Sequence, residues 1–195
     1  MLDDAMRVLH EARTPRDIVV TTMGAARTWM QLGAAEHDLV LVPSAMGHAT
    51  SFGLGLALAQ PARRVIVCNG DGSMLMNLGS LASITHAGPA NLVLVVCDNG
   101  VYQVTGSQPT PGAGVVDFGA IARACGFPSV FRFGALDEWR REVETVLAAP
   151  GPTFATLDVA NVPGTPGPRS PGPAAERARR FMAALDVERR VSASR

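Results

Sequence analysis

Residues 65–73 read VIVCNGDGS and residues 92–99 read LVLVVCDN. Each begins as a short run of β-branched and aliphatic residues bounded by turn formers, the pattern of a strand buried on both faces of a parallel sheet. The first therefore predicts a strand over 65–68 and the second a strand over 92–97, with similar runs at 18–21, 39–42 and 154–159. Between these runs the periodicity turns helical, at 24–33, 47–60, 73–86, 117–125 and 135–148. In the last of these, Leu136, Trp139, Val143 and Leu147 share one face. Strands alternating with helices predict an α/β fold, a doubly wound, mostly parallel sheet with helices on both faces.

The remaining composition narrows the function. The chain has 195 residues, 47% hydrophobic and 17% charged, enough to bury roughly 70% of its unfolded surface around one core. Its 17 basic residues are all Arg, which removes Schiff-base chemistry and the usual phosphate-binding lysine loop from this chain. Seventeen acidic residues balance them, so no global field draws the protein to nucleic acid or an anionic membrane. Cys68, Cys97 and Cys125 lie far apart, so their thiols alone assemble neither a zinc site nor an iron-sulfur cluster. No apolar run reaches the ~18 residues of a membrane span, and Asp3 and Asp4 follow Met1 where a signal sequence would be basic. The expectation is a cytoplasmic protein.

Residues 163–173 (PGTPGPRSPGP) hold five Pro and three Gly, which predicts an extended surface segment followed by a helix over 174–185. The chain thus divides into an α/β domain, 1–162, and a tail, 163–195. The connection 98–114 is long for a compact domain and rich in Gly, Ser, Thr and Gln, suited to closing over a polar ligand.

The chemistry gathers at the ends of the two quoted stretches. A right-handed crossover sets their strands side by side with carboxyl ends together, where open α/β sheets bind ligands. Asp71 and Asn99 should therefore converge although 28 positions separate them. A carboxylate and an amide oxygen are hard donors suited to Mg²⁺, which takes few protein ligands and fills its shell from phosphate and water. Asp-Gly and Asn-Gly are also ordinary turn dipeptides. The specific signal is their combination at the ends of two buried strands, which reads as a magnesium diphosphate site.

On these residues the sequence resembles the thiamine diphosphate enzymes, whose cofactor domain carries GDG followed at a set spacing by Asn, usually as Asn-Asn. The resemblance covers most of residues 17–160. Here Asp98 replaces the first Asn and adds a negative charge near the metal, so it should point away or be paired. The resemblance implies Mg²⁺ ligands at Asp71, Asn99 and the Val101 carbonyl, with Gly70, Gly72 and Ser73 about the diphosphate. The segment Ser44-Ala45-Met46-Gly47-His48 is similar to the one that bends the cofactor. By that match Met46 is the apolar wedge, the Ser44 carbonyl accepts from the aminopyrimidine, and Gly47 belongs to the same wall. Met46 also fits a plain core role, and Gly53, Gly55 and Ala57 fit close helix packing. Thr22, after the first strand, resembles a second residue near the diphosphate, although Ala25 and Ala26 stand where hydroxyl residues would help. His48 begins a helix beside this site and is a candidate catalytic proton relay or a helix cap. His10, His37 and His86 read as surface or turn residues.

Within that family the segments SAMGHATSFGLGLALAQP, GSLASI and GSQPT resemble phosphonopyruvate and sulfopyruvate decarboxylases. The resemblance implies decarboxylation of a small 2-oxo acid with an anionic head. About sixteen residues precede the first strand, so the chain resembles a β subunit whose activating glutamate sits on a separate pyrimidine-binding α subunit in a hetero-oligomer. A carboligase subunit like acetolactate synthase and a non-catalytic partner subunit are the alternatives, and a ferredoxin-dependent oxidoreductase is disfavoured by the missing cysteine cluster. Arg169 and residues 100–114 are candidates to grip the anionic head.

Overall fold

A computed structural model describes residues 2–43 and 46–193, the side chains of 186–193 excepted. Among these, six parallel strands form the main sheet: β1 (Ile18–Thr22), β2 (Asp38–Leu41), β3 (Val65–Gly70), β4 (Leu92–Asp98), β7 (Ser129–Phe133) and β8 (Thr153–Asp158). A two-residue antiparallel ribbon pairs β5 (Val101–Tyr102) with β6 (Gln108–Pro109). The sheet order is β2-β1-β3-β4-β8-β7, with every neighbouring pair parallel.

The inner strands alternate between two cores, as burial on both faces requires. Ile66, Cys68, Val93 and Val95 face a core shared with α1 (Leu2–Ala12), α2 (Met23–Leu32) and α7 (Leu136–Ala148). Val65, Val67, Leu92 and Leu94 face the other, shared with α3 (Ala49–Ala59), α4 (Asp71–Leu75), α5 (Gly79–Ala87), α6 (Phe118–Ala124) and α8 (Ala174–Ala193). The second core is tight at Gly53, where a Cβ would meet Val67 Cγ2 at 2.2 Å. A Cβ on Gly55 would meet nothing within 4 Å, so only the first of these glycines is there for packing.

From β1 the chain crosses to β2 on one side, then returns over β1 to β3 on the other. The strand order reverses between β1 and β3, and the crevice at their carboxyl ends is where such sheets bind ligands.

Several elements differ from expectation. Strand β7 is an edge strand whose half-exposed residues and exposed Arg132 break the apolar run by which inner strands are recognised. The helix expected over 73–86 is two, starting at Asp71 and broken at residues 76–78, where Asn77 Nδ2 donates to the Gly47 carbonyl at 2.7 Å and Ser51 Oγ at 3.3 Å. Helix α1, unanticipated, buries Met6 and Leu9 against α2 and α7. Segment 98–114 contains the β5-β6 ribbon and a 3-10 turn, Gln103–Thr105. Helix α8 runs eight residues beyond its expected end and packs Phe181 and Leu185 into the second core. Residues 163–173 form neither helix nor strand, as their prolines dictate. His37 lies in the turn before β2, one of the two places expected for it, and is buried there, with Nδ1 at 3.1 Å from the Pro15 carbonyl.

Candidate active site

Register places Gly70 of β3 beside Cys97 of β4, so the next residues, Asp71 and Asp98-Asn99, leave the sheet together. The expected convergence is present. Asp71 opens α4 and is only 3% exposed. Its carboxylate accepts from Thr110 Oγ1 at 3.1 Å and from the backbone amides of Gly72 and Asn99. Burial, and then the charge of Asp98, push its pKa above the ordinary carboxylate range, while those three hydrogen bonds pull it down. Asn99 closes a side-chain turn: Oδ1 accepts from the Val101 amide at 3.0 Å and Nδ2 donates to Gln103 Oε1 at 2.9 Å. One lone pair of Oδ1 remains.

Asp98 turns aside. It accepts from the Gly100 amide at 3.2 Å and does not line the cleft. Burial first and Asp158 second raise its pKa, against the Gly100 amide and Arg132, which pairs with Asp158 at 3.2 Å.

The tips of β1, β3 and β4 floor a cleft of about 720 Å³, open solvent at its mouth included. Of the residues expected in a site, Thr22, Met46, Gly70, Asp71, Gly72, Ser73, Asn99 and Val101 all line it. Gly47 stands behind this wall, its amide donating to Ser73 Oγ at 3.0 Å. His48 is exposed at the start of α3, makes no capping bond and does not line the cleft. Ser44 lies outside the described residues. Arg169 is not among the lining residues, whereas Val101, Tyr102, Gln103, Val104 and Thr105 of the 100–114 segment are.

The glycines of the motif have distinct jobs. A Cβ on Gly72 would meet the Tyr102 ring at 2.4 Å, so Gly72 lets the β5-β6 segment close down on α4. A Cβ on Gly70 would meet nothing within 4 Å, because it faces the cleft.

Four groups of residues carry no individual assignment from the sequence. Asn69 is 1% exposed and lines the cleft, and its Nδ2 has no hydrogen-bond partner. A signal existed: a polar residue continues an alternation that is apolar at Val65 and Val67. Thr110 needed the fold to reach Asp71. Arg27, on α2, was hidden among ordinary helix-surface arginines. Leu2, Thr165 and Pro166 bring the two chain flanks to the same cleft. At its β1 edge, Thr22 Oγ1 is also buried without a partner, and Met23 adopts a left-handed φ of 54°, uncommon outside glycine and frequent at functional sites.

Among described residues no three His, Cys, Asp or Glu side chains group to hold a metal. A cation here would depend on Asp71, amide and carbonyl oxygens, and a phosphate, the mode Mg²⁺ favours.

Comparison with known proteins gives concordant results. Residues 17–157 match the family described as thiamine pyrophosphate enzyme, C-terminal TPP binding domain. Phosphonopyruvate decarboxylase of Streptomyces viridochromogenes is 40% identical over 176 residues, 88% of this chain and 44% of that one. Sulfopyruvate decarboxylase subunit beta of Methanothermobacter thermautotrophicus is 50% identical over 114 residues, 58% of each chain. The namesake from Methanocaldococcus jannaschii is 35% identical over 74% of this chain and 76% of its own. The chain thus spans about half the length of the first of these relatives. An X-ray structure from Mycobacterium smegmatis, described as of a thiamin diphosphate-dependent enzyme, superposes with a TM-score of 0.69 over 81% of this chain and 31% of that one, at 21% identity.

Proposed function

Since the chain belongs to the thiamine pyrophosphate (thiamine diphosphate) enzymes, through their C-terminal cofactor-binding domain, we propose that it is the β subunit of a Mg²⁺-dependent decarboxylase of an anionic 2-oxo acid. The observation that carries this is the cleft itself. Buried Asp71 and half-buried Asn99 meet at the carboxyl ends of β3 and β4, next to the switch point between β1 and β3, and the same cleft holds three buried donors with no partner, Thr22 Oγ1, Arg27 Nε and Asn69 Nδ2. Buried polar groups are normally satisfied, so a ligand rich in acceptors fits here.

Asp71 Oδ, Asn99 Oδ1 and the Val101 carbonyl would hold Mg²⁺. Ser73 already accepts from Gly47, which leaves its hydroxyl hydrogen to donate, and Thr22 and Asn69 add donors for the diphosphate. Met46 supplies apolar support in the cleft, and Leu2, Tyr102, Val104 and Pro166 exclude water from it. Thiamine diphosphate, when bound, supplies a thiazolium ring that adds to a ketone and takes up the electrons released with CO₂. The glutamate that activates its aminopyrimidine is assigned to a separate α subunit, in keeping with relatives named subunit beta. Phe52 and Met76, exposed on segments bridged by the Asn77–Ser51 bond, offer that subunit an apolar contact.

The test is to co-purify the chain with the product of its neighbouring reading frame and assay a panel of 2-oxo acids. CO₂ and aldehyde from sulfopyruvate or phosphonopyruvate, with an inactive isolated chain, is the expected result. Turnover by the chain alone contradicts the split site, and accumulation of a carboligated product would replace the decarboxylase reading with a synthase.

A further inference from the structure

Arg27, in the second turn of α2, is the one basic side chain among the described residues lining the cleft. Other arginines are committed elsewhere: Arg13 to Asp38, Arg64 to Asp17, Arg132 to Asp158 and Arg177 to carbonyls of residues 40 and 42. Arg27 is held but not saturated. Its Nη2 donates to Asp3 Oδ1 at 3.0 Å, and its Nε is buried with no acceptor. Asp3, steadied by Thr28 Oγ1 at 2.5 Å, has a side chain 44% exposed. Water screens such a pair, so Asp3 aims the guanidinium without quenching its charge. A buried donor without an acceptor carries a free-energy cost, and a guanidinium fork relieves it best with a planar or tetrahedral oxyanion.

We propose that Arg27 grips the tetrahedral oxyanion head, sulfonate or phosphonate, of the 2-oxo acid and so selects doubly charged substrates over pyruvate. This rests on the decarboxylase reading above. The diphosphate's charge is met by the cation that Asp71 and Asn99 would hold. The substrate head has no other basic side chain among the described lining residues.

The test compares wild type, Arg27→Gln and Arg27→Lys in the assembly purified with the chain, loaded with thiamine diphosphate and Mg²⁺. Two quantities are read: kcat/KM for sulfopyruvate and phosphonopyruvate relative to pyruvate, and calorimetric affinities for sulfoacetate and for thiamine diphosphate. Arg27→Gln should lower the kcat/KM ratio and the sulfoacetate affinity by about 10- to 100-fold. Arg27→Lys, which keeps the packed stem and the charge, should recover part of both, with cofactor affinity unmoved. An unchanged ratio in both variants, or weakened cofactor binding with the ratio intact, overturns the proposal. If wild type turns over no 2-oxo acid, the decarboxylase reading falls by itself, and sulfoacetate decides Arg27: weaker binding in Arg27→Gln supports the grip and equal binding overturns it.

Discussion

At Asp71 burial and the neighbouring charge of Asp98 both work against ionisation, while Thr110 and two backbone amides work for it. A cation would resolve that contest in favour of the carboxylate. Asp71→Asn should therefore leave the ligand-free protein as stable as wild type or more so by thermal melting, yet weaken Mg²⁺-dependent cofactor binding by at least about 100-fold. Gly72→Ala acts differently, because its methyl group meets the Tyr102 ring. Overpacking of this kind costs about 1–3 kcal/mol, to be read by urea unfolding, and should speed proteolysis within 98–114. The thiols report burial directly. Burial, then Asp71 and Asp98, push Cys97 up to about 12, and burial raises Cys68 well above the ordinary thiol range. Cys125 is only half-buried. Alkylation requires the thiolate, so iodoacetamide at about pH 8 should modify Cys125 first, with Cys68 and Cys97 reacting only on unfolding. Asp71 and Asn99 were legible in the sequence because short motifs at strand ends keep their chemistry in any context. Asn69 and Arg27 were not, and Thr110 only as part of the 100–114 segment, since each draws its significance from neighbours distant in the chain.

At the scale of elements, apolar runs revealed the four inner strands and β2, but not edge strand β7, where Ser129 and Arg132 interrupt the apolar residues. The division of 73–86 into α4 and α5 has no local signal in the sequence, because it rests on the Asn77 amide binding Gly47 and Ser51, 30 and 26 positions away. Helix α8 shows how the flank is fastened to the sheet edge. Arg177 donates to the carbonyls of Val40 at 2.5 Å and of Val42, and Phe181 is 6% exposed in the second core. Phe181→Ala should cost about 3 kcal/mol of unfolding free energy, and Arg177→Ala about 1–3 kcal/mol through the carbonyls it abandons. Both are measurable by urea titration. A surface-attached tail would show neither loss.

For the molecule as a whole, the family core spans residues 17–157, while the cleft borrows Leu2 from α1 and Thr165 and Pro166 from the Pro-rich segment. Gln103 joins these parts, accepting from Asn99 and donating to the Val162 carbonyl at 3.0 Å. The flanks are thus walls of the site, which motif reading confined to the GDG region and its strand partners does not reach. Isothermal titration of thiamine diphosphate into the purified assembly, with Mg²⁺ or with EDTA and for wild type or Asp71→Asn, is the most direct measurement. Saturable binding that needs Mg²⁺ and disappears in the variant is the predicted result. Equal binding in EDTA, or in Asp71→Asn, would contradict a cofactor fastened through Asp71 and Asn99.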